Sequence, residues 1–281
     1  LDSKVRGSNY SDNEKVSKGS AKAMLAKVYL YQKDYTQARQ LAEEVINSGE
    51  FHLLGGTSEY SIQGKTFGDL FKYSNNNNEE SIFALQWKTD VNYGSGNNCN
   101  TQFGISNGTI STSNASYGGV FAPSQDILTL YDKSDLRRDE TIMFPGNVYS
   151  DMKVKNGTSY EVGLTVPAAE DIGGQGAGAA IKKYCIGIVN GNSTGPVDAW
   201  AMMDNNTYIM RYAELLLIHA EAILAGGTST SDPAALKSFN AVRNRAGLPA
   251  VSSFTFDDLF KERRKELAFD GDYWFDLGRL P

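Results

Sequence analysis

The sequence is poor in the residues that most metal and redox chemistry uses. Two cysteines, Cys99 and Cys185, and two histidines, His52 and His219, are all that 281 residues contain. The cysteines lie far apart and fit no metal-ligand spacing, so one long-range disulfide or two unrelated thiols are both open, with two thiols favoured. His219 sits mid-helix with Glu221 two residues on, off its own helical face. His52 has no Cys or second His nearby, so zinc and triad chemistry lack parts. No apolar run approaches the roughly 18 residues of a membrane-spanning helix; the richest stretch, Ala213 to Leu224, is interrupted by Glu214, His219 and Glu221. Basic residues number 27 against 33 acidic, a net charge of −6 with no basic stripe, which argues against nucleic acid as a partner. The densest basic run, Lys261 to Lys265, is interleaved with Glu262 and followed by Glu266, a mixed-charge helix.

What is present is an apolar fraction of 41%, enough for a sizeable core, distributed unevenly. Helical periodicity sits at the two ends. Ser20 is placed to cap a helix carrying Ala23, Leu25, Ala26, Val28, Tyr29 and Leu30. A second helix runs from Tyr35 with Ala38, Leu41, Ala42, Val45 and Ile46 at helical spacing and a stop at Gly49. The small residues and the flanking Tyr29 and Tyr35 look like a tetratricopeptide unit. Near the other end, Tyr208 to Ala225 reads as a helix. Asp232 and Pro233 open another, and a last helix starts near Asp257 and stops at Gly271. From about Gly55 to Asn206 the period fades into Gly-, Asn- and Ser-rich segments that read as loops. Strand candidates lie at Ser81 to Trp87 and Ile181 to Val189, and one short helix is capped by Ser124.

The expected architecture is mainly α: one domain over 1–281, with helical scaffold at 20–54 and 207–281 and a loop-rich, ligand-facing region at 55–206. Sugars present apolar C–H faces ringed by hydroxyls, so their sites combine exposed aromatic rings with amides and carboxylates. In the loop-rich region Trp87, Tyr93, Tyr117 and Trp200 stand beside Asn92, Asn97, Asn98, Asn114, Asp198 and Asp204. Trp87, Tyr93, Asn97, Tyr117 and Trp200 are the candidate ligand-binding residues. Trp274 and Phe275 are expected in the core. A catalytic pair among Glu214, Glu221 and Glu266 is outweighed by the reading that Glu214 or Glu221 pairs with an arginine of the last helix. Gly174, Gly176 and Gly178 lack the strand and helix of a nucleotide-binding loop. Asp132, Asp135 and Asp139, or Asp204 with Asn205 and Asn206, lack the spacing of an EF-hand. No catalytic residue, metal or cofactor is expected.

Four segments resemble the SusD/RagB family of outer-membrane nutrient-binding lipoproteins of Bacteroidetes: SAKAMLAKVYLYQKDYTQARQLAEEVINSGEFHLL from Ser20, NEESIF from Asn78, MRYAELLLIHAEAIL from Met210 and KERRKELAFDGDYWFDLGRL from Lys261. AVRNRAGLP from Ala241 and IKKY from Ile181 add to the match, while Asp270 and Gly278 depart from the family's usual Glu and basic residue. The resemblance implies a starch-binding-protein-like, α-superhelical fold without enzymatic activity. It further implies a cell-surface protein that captures oligosaccharides or polysaccharides and passes them to a SusC/RagA-like TonB-dependent transporter. Family members are longer and attach to the membrane through an N-terminal lipid absent from this sequence, so truncation at both ends is expected. The rival reading is a tetratricopeptide-like module that binds protein or peptide and no sugar.

Overall fold

The computed structural model describes residues 14–88, 96–105, 120–156, 159–173, 178–186 and 203–280. Its first helix, α1 (Lys18–Tyr31), begins earlier than the sequence suggests. Ser17, not Ser20, is the N-cap, and its hydroxyl accepts from the Ser20 amide. A three-residue turn returns the chain into α2 (Tyr35–Ser48), capped by Asp34 and ended by Gly49 in the left-handed conformation at φ 64°. The alanines predicted to allow close approach, Ala23, Ala26, Ala38 and Ala42, are all buried.

Short elements follow: β1 (Leu53–Leu54), β2 (Ser61–Ile62), β3 (Ser81–Leu85), α3 (Cys99–Phe103), α4 (Gln125–Leu130), α5 (Arg138–Thr141) and β4 (Ile142–Met143). The loop-rich expectation missed a longer antiparallel pair, β5 (Val148–Asn156) with β6 (Ser159–Thr165). Of the strand expected at Ile181 to Val189, only β7 (Ala180–Ile181) is seen, and 187–189 lie outside the described residues.

The helix expected from Tyr208 begins four residues later. Thr207–Arg211 is a strand, β8, antiparallel to β3, and α6 runs over Tyr212–Leu224. β-Branched and aromatic residues precede the Ala- and Leu-rich stretch, and pairing with β3 satisfies their backbone. After β9 (Ser229–Thr230), Asp232 caps α7 (Pro233–Arg245) by accepting from Ala234 and Ala235, with proline at the first helical position as the sequence predicts. β10 (Phe254–Thr255) leads into α8 (Phe256–Leu267), whose cap is Thr255 in a reciprocal capping box with Asp258, two residues before the expected start. A further short helix, α9 (Tyr273–Arg279), follows Gly271. α1 packs on α2, α2 on α6, and α6 on α7 and α8. α6 is almost wholly buried, so the largest apolar cluster forms around it. No helix among the described residues is long and apolar enough to cross a membrane.

Candidate functional site

The ordered anchors of the sequence resemblance meet inside the molecule. Arg211 donates through Nη1 to Glu80 at 2.8 Å and to Glu266 at 2.8 Å, and through Nη2 to Asp270 at 2.8 Å. Arg245 donates to the other oxygen of Glu80 at 2.8 Å. Arg137 lies 3.2 Å from Glu266 and 2.6 Å from Glu262. Lys183 lies 3.0 Å from Asp270 and donates to the backbone oxygens of Glu266 and Ala268. Each of these charged groups is buried. Burial by itself opposes ionisation of Glu266, but Arg245, Arg211 and Arg137 outweigh it and hold the carboxyl far below its usual range. For Lys183 burial wins over Asp270, and its ammonium is lowered to about 8. Paired with one another, these charged groups fix how β3, β8, α7 and α8 register. The expected pairing of Glu214 is present too, with Arg263 at 3.2 Å.

The polar surface beyond β3 and β8 is built differently. Trp87 follows β3 by two residues and is half-buried. Its amide donates to Asn206 Oδ1 at 3.2 Å and its indole Nε1 to Thr207 Oγ1 at 3.0 Å. Asn97 reaches the same hydroxyl through Nδ2 at 3.3 Å, donates to the Asn205 carbonyl at 2.8 Å, and accepts from the Cys99 amide at 2.9 Å. Its backbone exchanges two hydrogen bonds with Met203. Thr207 therefore joins two of the five candidate residues. Asn97 is only 2% exposed, and its amide is spent on holding the 203–207 segment. Around them Asn206 donates to Asn77 and Gln86, and Asn77 and Gln86 bond each other reciprocally. Leu85 and Phe83, on β3 two and four residues before Trp87, are exposed. Tyr93, Tyr117 and Trp200 lie outside the described residues. Sequence reasoning missed Thr207 and Asn206 as the support of Trp87, because their part depends on β3–β8 pairing across more than a hundred residues of chain. The Asn-rich run at Asn75 to Asn78 was the available signal.

Cys99 and Cys185 are free thiols but neighbours, Cys185 Sγ lying 3.5 Å from the Cys99 carbonyl. His219 is buried, with Nδ1 2.8 Å from Ser238 Oγ. Asp135 is spent on Arg137 at 2.8 Å. No group of three or more His, Cys, Asp or Glu among the described residues is placed to hold a metal. Trp274 and Phe275 are not in the core. They are 79% and 60% exposed, because α9 turns Asp276 inward to Arg263 and its aromatic residues outward.

Helix pairs stacked around a buried central helix, with polar loops gathered at one sheet edge, define a tetratricopeptide-like α-helical scaffold protein. Residues 79–280 match the SusD family, described as SusD_RagB, and the chain belongs to that family. A SusD-like protein of Bacteroides ovatus is 33% identical over 96% of this chain and 47% of its own length. A crystal structure with xylogluco-oligosaccharide superposes with a TM-score of 0.77 at 30% identity, over 96% of this chain and 52% of the other. Surface glycan-binding protein A from Bacteroides thetaiotaomicron, in complex with laminarihexaose, gives 0.70 at 25% identity, over 98% and 57%. The chain thus spans about half the length of the relatives it matches.

Proposed function

We propose that the chain is the glycan-recognising part of a cell-surface protein that captures oligosaccharides and delivers them to a TonB-dependent outer-membrane transporter, without chemistry on the ligand. The observation that carries this reading is Trp87, half-buried and fixed at its indole and backbone, beside a cluster of side-chain amides. A fixed aromatic face stacks on the C–H side of a pyranose, and nearby amides exchange hydrogen bonds with its hydroxyls. Tyr93, Tyr117 and Trp200 are proposed as further ligand contacts, with Asn97 positioning Trp87 through Thr207. The relatives bound to xylogluco-oligosaccharide and laminarihexaose support the ligand class. Family membership supports lipid anchoring at the outer face of the outer membrane and a SusC/RagA-like partner.

Calorimetric titration with laminarihexaose, a xyloglucan oligosaccharide and a wider glycan array tests the proposal. One glycan class binds, with modest affinity because an exposed sugar keeps many water contacts. Trp87→Ala weakens that binding about tenfold or more, through loss of ring stacking, with the fold intact by circular dichroism. Binding of peptides with none of any oligosaccharide would establish the protein-interaction reading instead. Co-purification of full-length protein with its transporter tests delivery.

A further inference from the structure

The two cysteines of the chain, 86 residues apart in sequence, meet where two apolar clusters join. Cys185 belongs to the cluster of Ile105, Met152 and Leu164, and Cys99 packs against the neighbouring cluster around Phe71 and Tyr184. Phe103 of α3 touches both clusters. Cys185 Sγ donates to the Cys99 carbonyl at 3.5 Å, and backbone dimensions then place that sulfur within about 6 Å of the Cys99 Cα. Each cysteine also stands on backbone that is already pinned. The Cys99 amide donates to Asn97 Oδ1, and Asn97 exchanges two backbone hydrogen bonds with Met203. The Cys185 amide donates to the Lys182 carbonyl at 2.8 Å, and the two residues before it, Lys183 and Tyr184, both reach Asp270. Burial holds both thiols protonated, Cys99 pushed up to about 12 and Cys185 well above its ordinary value. The thiolate that thiol exchange requires is therefore scarce once the fold has closed.

We propose that Cys99 and Cys185 join in a structural disulfide as the chain folds in an oxidising compartment. The compartment rests on the cell-surface reading above, since exported chains meet oxidants that cytosolic ones do not. The oxidant is a small disulfide of the glutathione type. One cysteine thiolate attacks a sulfur of the oxidant and expels a thiolate, and the second cysteine then attacks the mixed disulfide and expels the other. The oxidant's S–S bond breaks, the Cys99–Cys185 bond forms, and the two cysteine protons end on the two reduced oxidant thiols. A turn of the Cys99 side chain away from Asn97, beside which it lies, brings its sulfur toward Cys185. The bond fastens the segment carrying Asn97, which with Thr207 holds Trp87, to Lys183 and Tyr184 of the charged core. The proposed ligand face is thereby tied to the buried ion network by a covalent link as well as by hydrogen bonds.

The test refolds the 281-residue chain from urea with oxidised and reduced glutathione, then counts thiols with a maleimide under denaturing conditions and weighs the intact chain. The expected product has no reactive thiol, is lighter by two hydrogens, and melts about 5 °C or more above the same chain after reduction. Cys99→Ser and Cys185→Ser each abolish the rise. A chain folded by circular dichroism that keeps two reactive thiols would overturn the proposal, as would a bridge found only between copies on a non-reducing gel. A bridge that forms without raising the melting temperature overturns the structural role. If the chain does not refold, it is exported to a bacterial periplasm and its thiols are counted in the same way, and two free thiols there overturn the proposal likewise. Glycan titration judges the cell-surface reading and thiol counting judges this one, so either can fail alone.

Discussion

Glu266 shows how much one side chain can be asked to do in this molecule. It is fully buried and takes charge-assisted hydrogen bonds from Arg211 and Arg137, in contact with Arg245 as well, so removing its charge leaves three buried guanidinium groups short of a partner. Glu266→Gln should destabilise by about 3–5 kcal/mol, the range for breaking a buried ion pair, measured by urea unfolding. Thr207 is the corresponding residue at the proposed ligand face. Thr207→Val keeps the strand-forming shape but removes the oxygen that receives both Trp87 and Asn97. A cost of about 1–3 kcal/mol is expected for orphaning those donors, together with weaker glycan binding by calorimetry. A loss of stability with glycan affinity unchanged would separate Trp87 from the ligand.

At the scale of elements, two helical glycines make opposite predictions. Glycine within a helix ordinarily costs about 0.5–1 kcal/mol relative to alanine. Gly278 in α9 has nothing within 4 Å of where a Cβ would stand, so Gly278→Ala should raise stability by about that amount. At Gly19 in α1 a Cβ would overlap the buried Glu50 carboxylate and come within 2.9 Å of the Phe51 ring. Gly19→Ala should therefore lower the melting temperature despite its better helix propensity, which a thermal scan of both variants decides. The helices themselves were readable because their end signals are local: Gly49, Asp232 and Pro233 act within a turn of their own position. β8 was not, since Thr207–Arg211 continues smoothly into an apolar helical pattern and only the distant β3 draws it into a strand. α9 misled for the same kind of reason. Its aromatic residues look like core, yet the strong charges of Arg263 and Glu221 claimed its inner face.

For the whole molecule, the buried ion network makes stability depend on pH at both ends. Glu266 and Asp270 have folded-state carboxyls held below their ordinary values of 4.5 and 3.8. Their stabilisation is complete above those values and is lost as pH falls through and below them, because the unfolded chain then binds the additional protons. Lys183 runs the other way. With its ammonium lowered from 10.5 to about 8, the unfolded chain holds the extra proton between those values, so stability rises across that alkaline window, by about 3 kcal/mol from this residue. Urea midpoints measured against pH should fall on the acid side. On the alkaline side the buried Cys99 and Cys185 thiols and the Tyr184 and Tyr208 hydroxyls, held above their ordinary values, oppose Lys183. Its limb is therefore read as the difference between the parent chain and Lys183→Met, which should grow in the parent's favour from about pH 8 to 10.5. We propose that the chain unfolds as a single cooperative unit, since the network ties segments from Glu80 to Asp270 into one set of contacts. Equal calorimetric and van't Hoff enthalpies check this.

The sequence by itself determined that the two ends of the chain are helical, the stop at Gly49, the start at Asp232 and Pro233, the small-residue hairpin of α1 and α2 and the family, because those signals are periodic or local and need no partner to be read. Only the tertiary structure decided that Glu80, Arg211, Arg245, Glu266 and Asp270 are one buried cluster, that Trp87 and Asn97 share the hydroxyl of Thr207, and that Trp274 faces outward. The physical reason is that charge pairing and side-chain hydrogen bonding act through space over a few ångströms. Which residues come that close depends on how strands and helices far apart in the chain pack together.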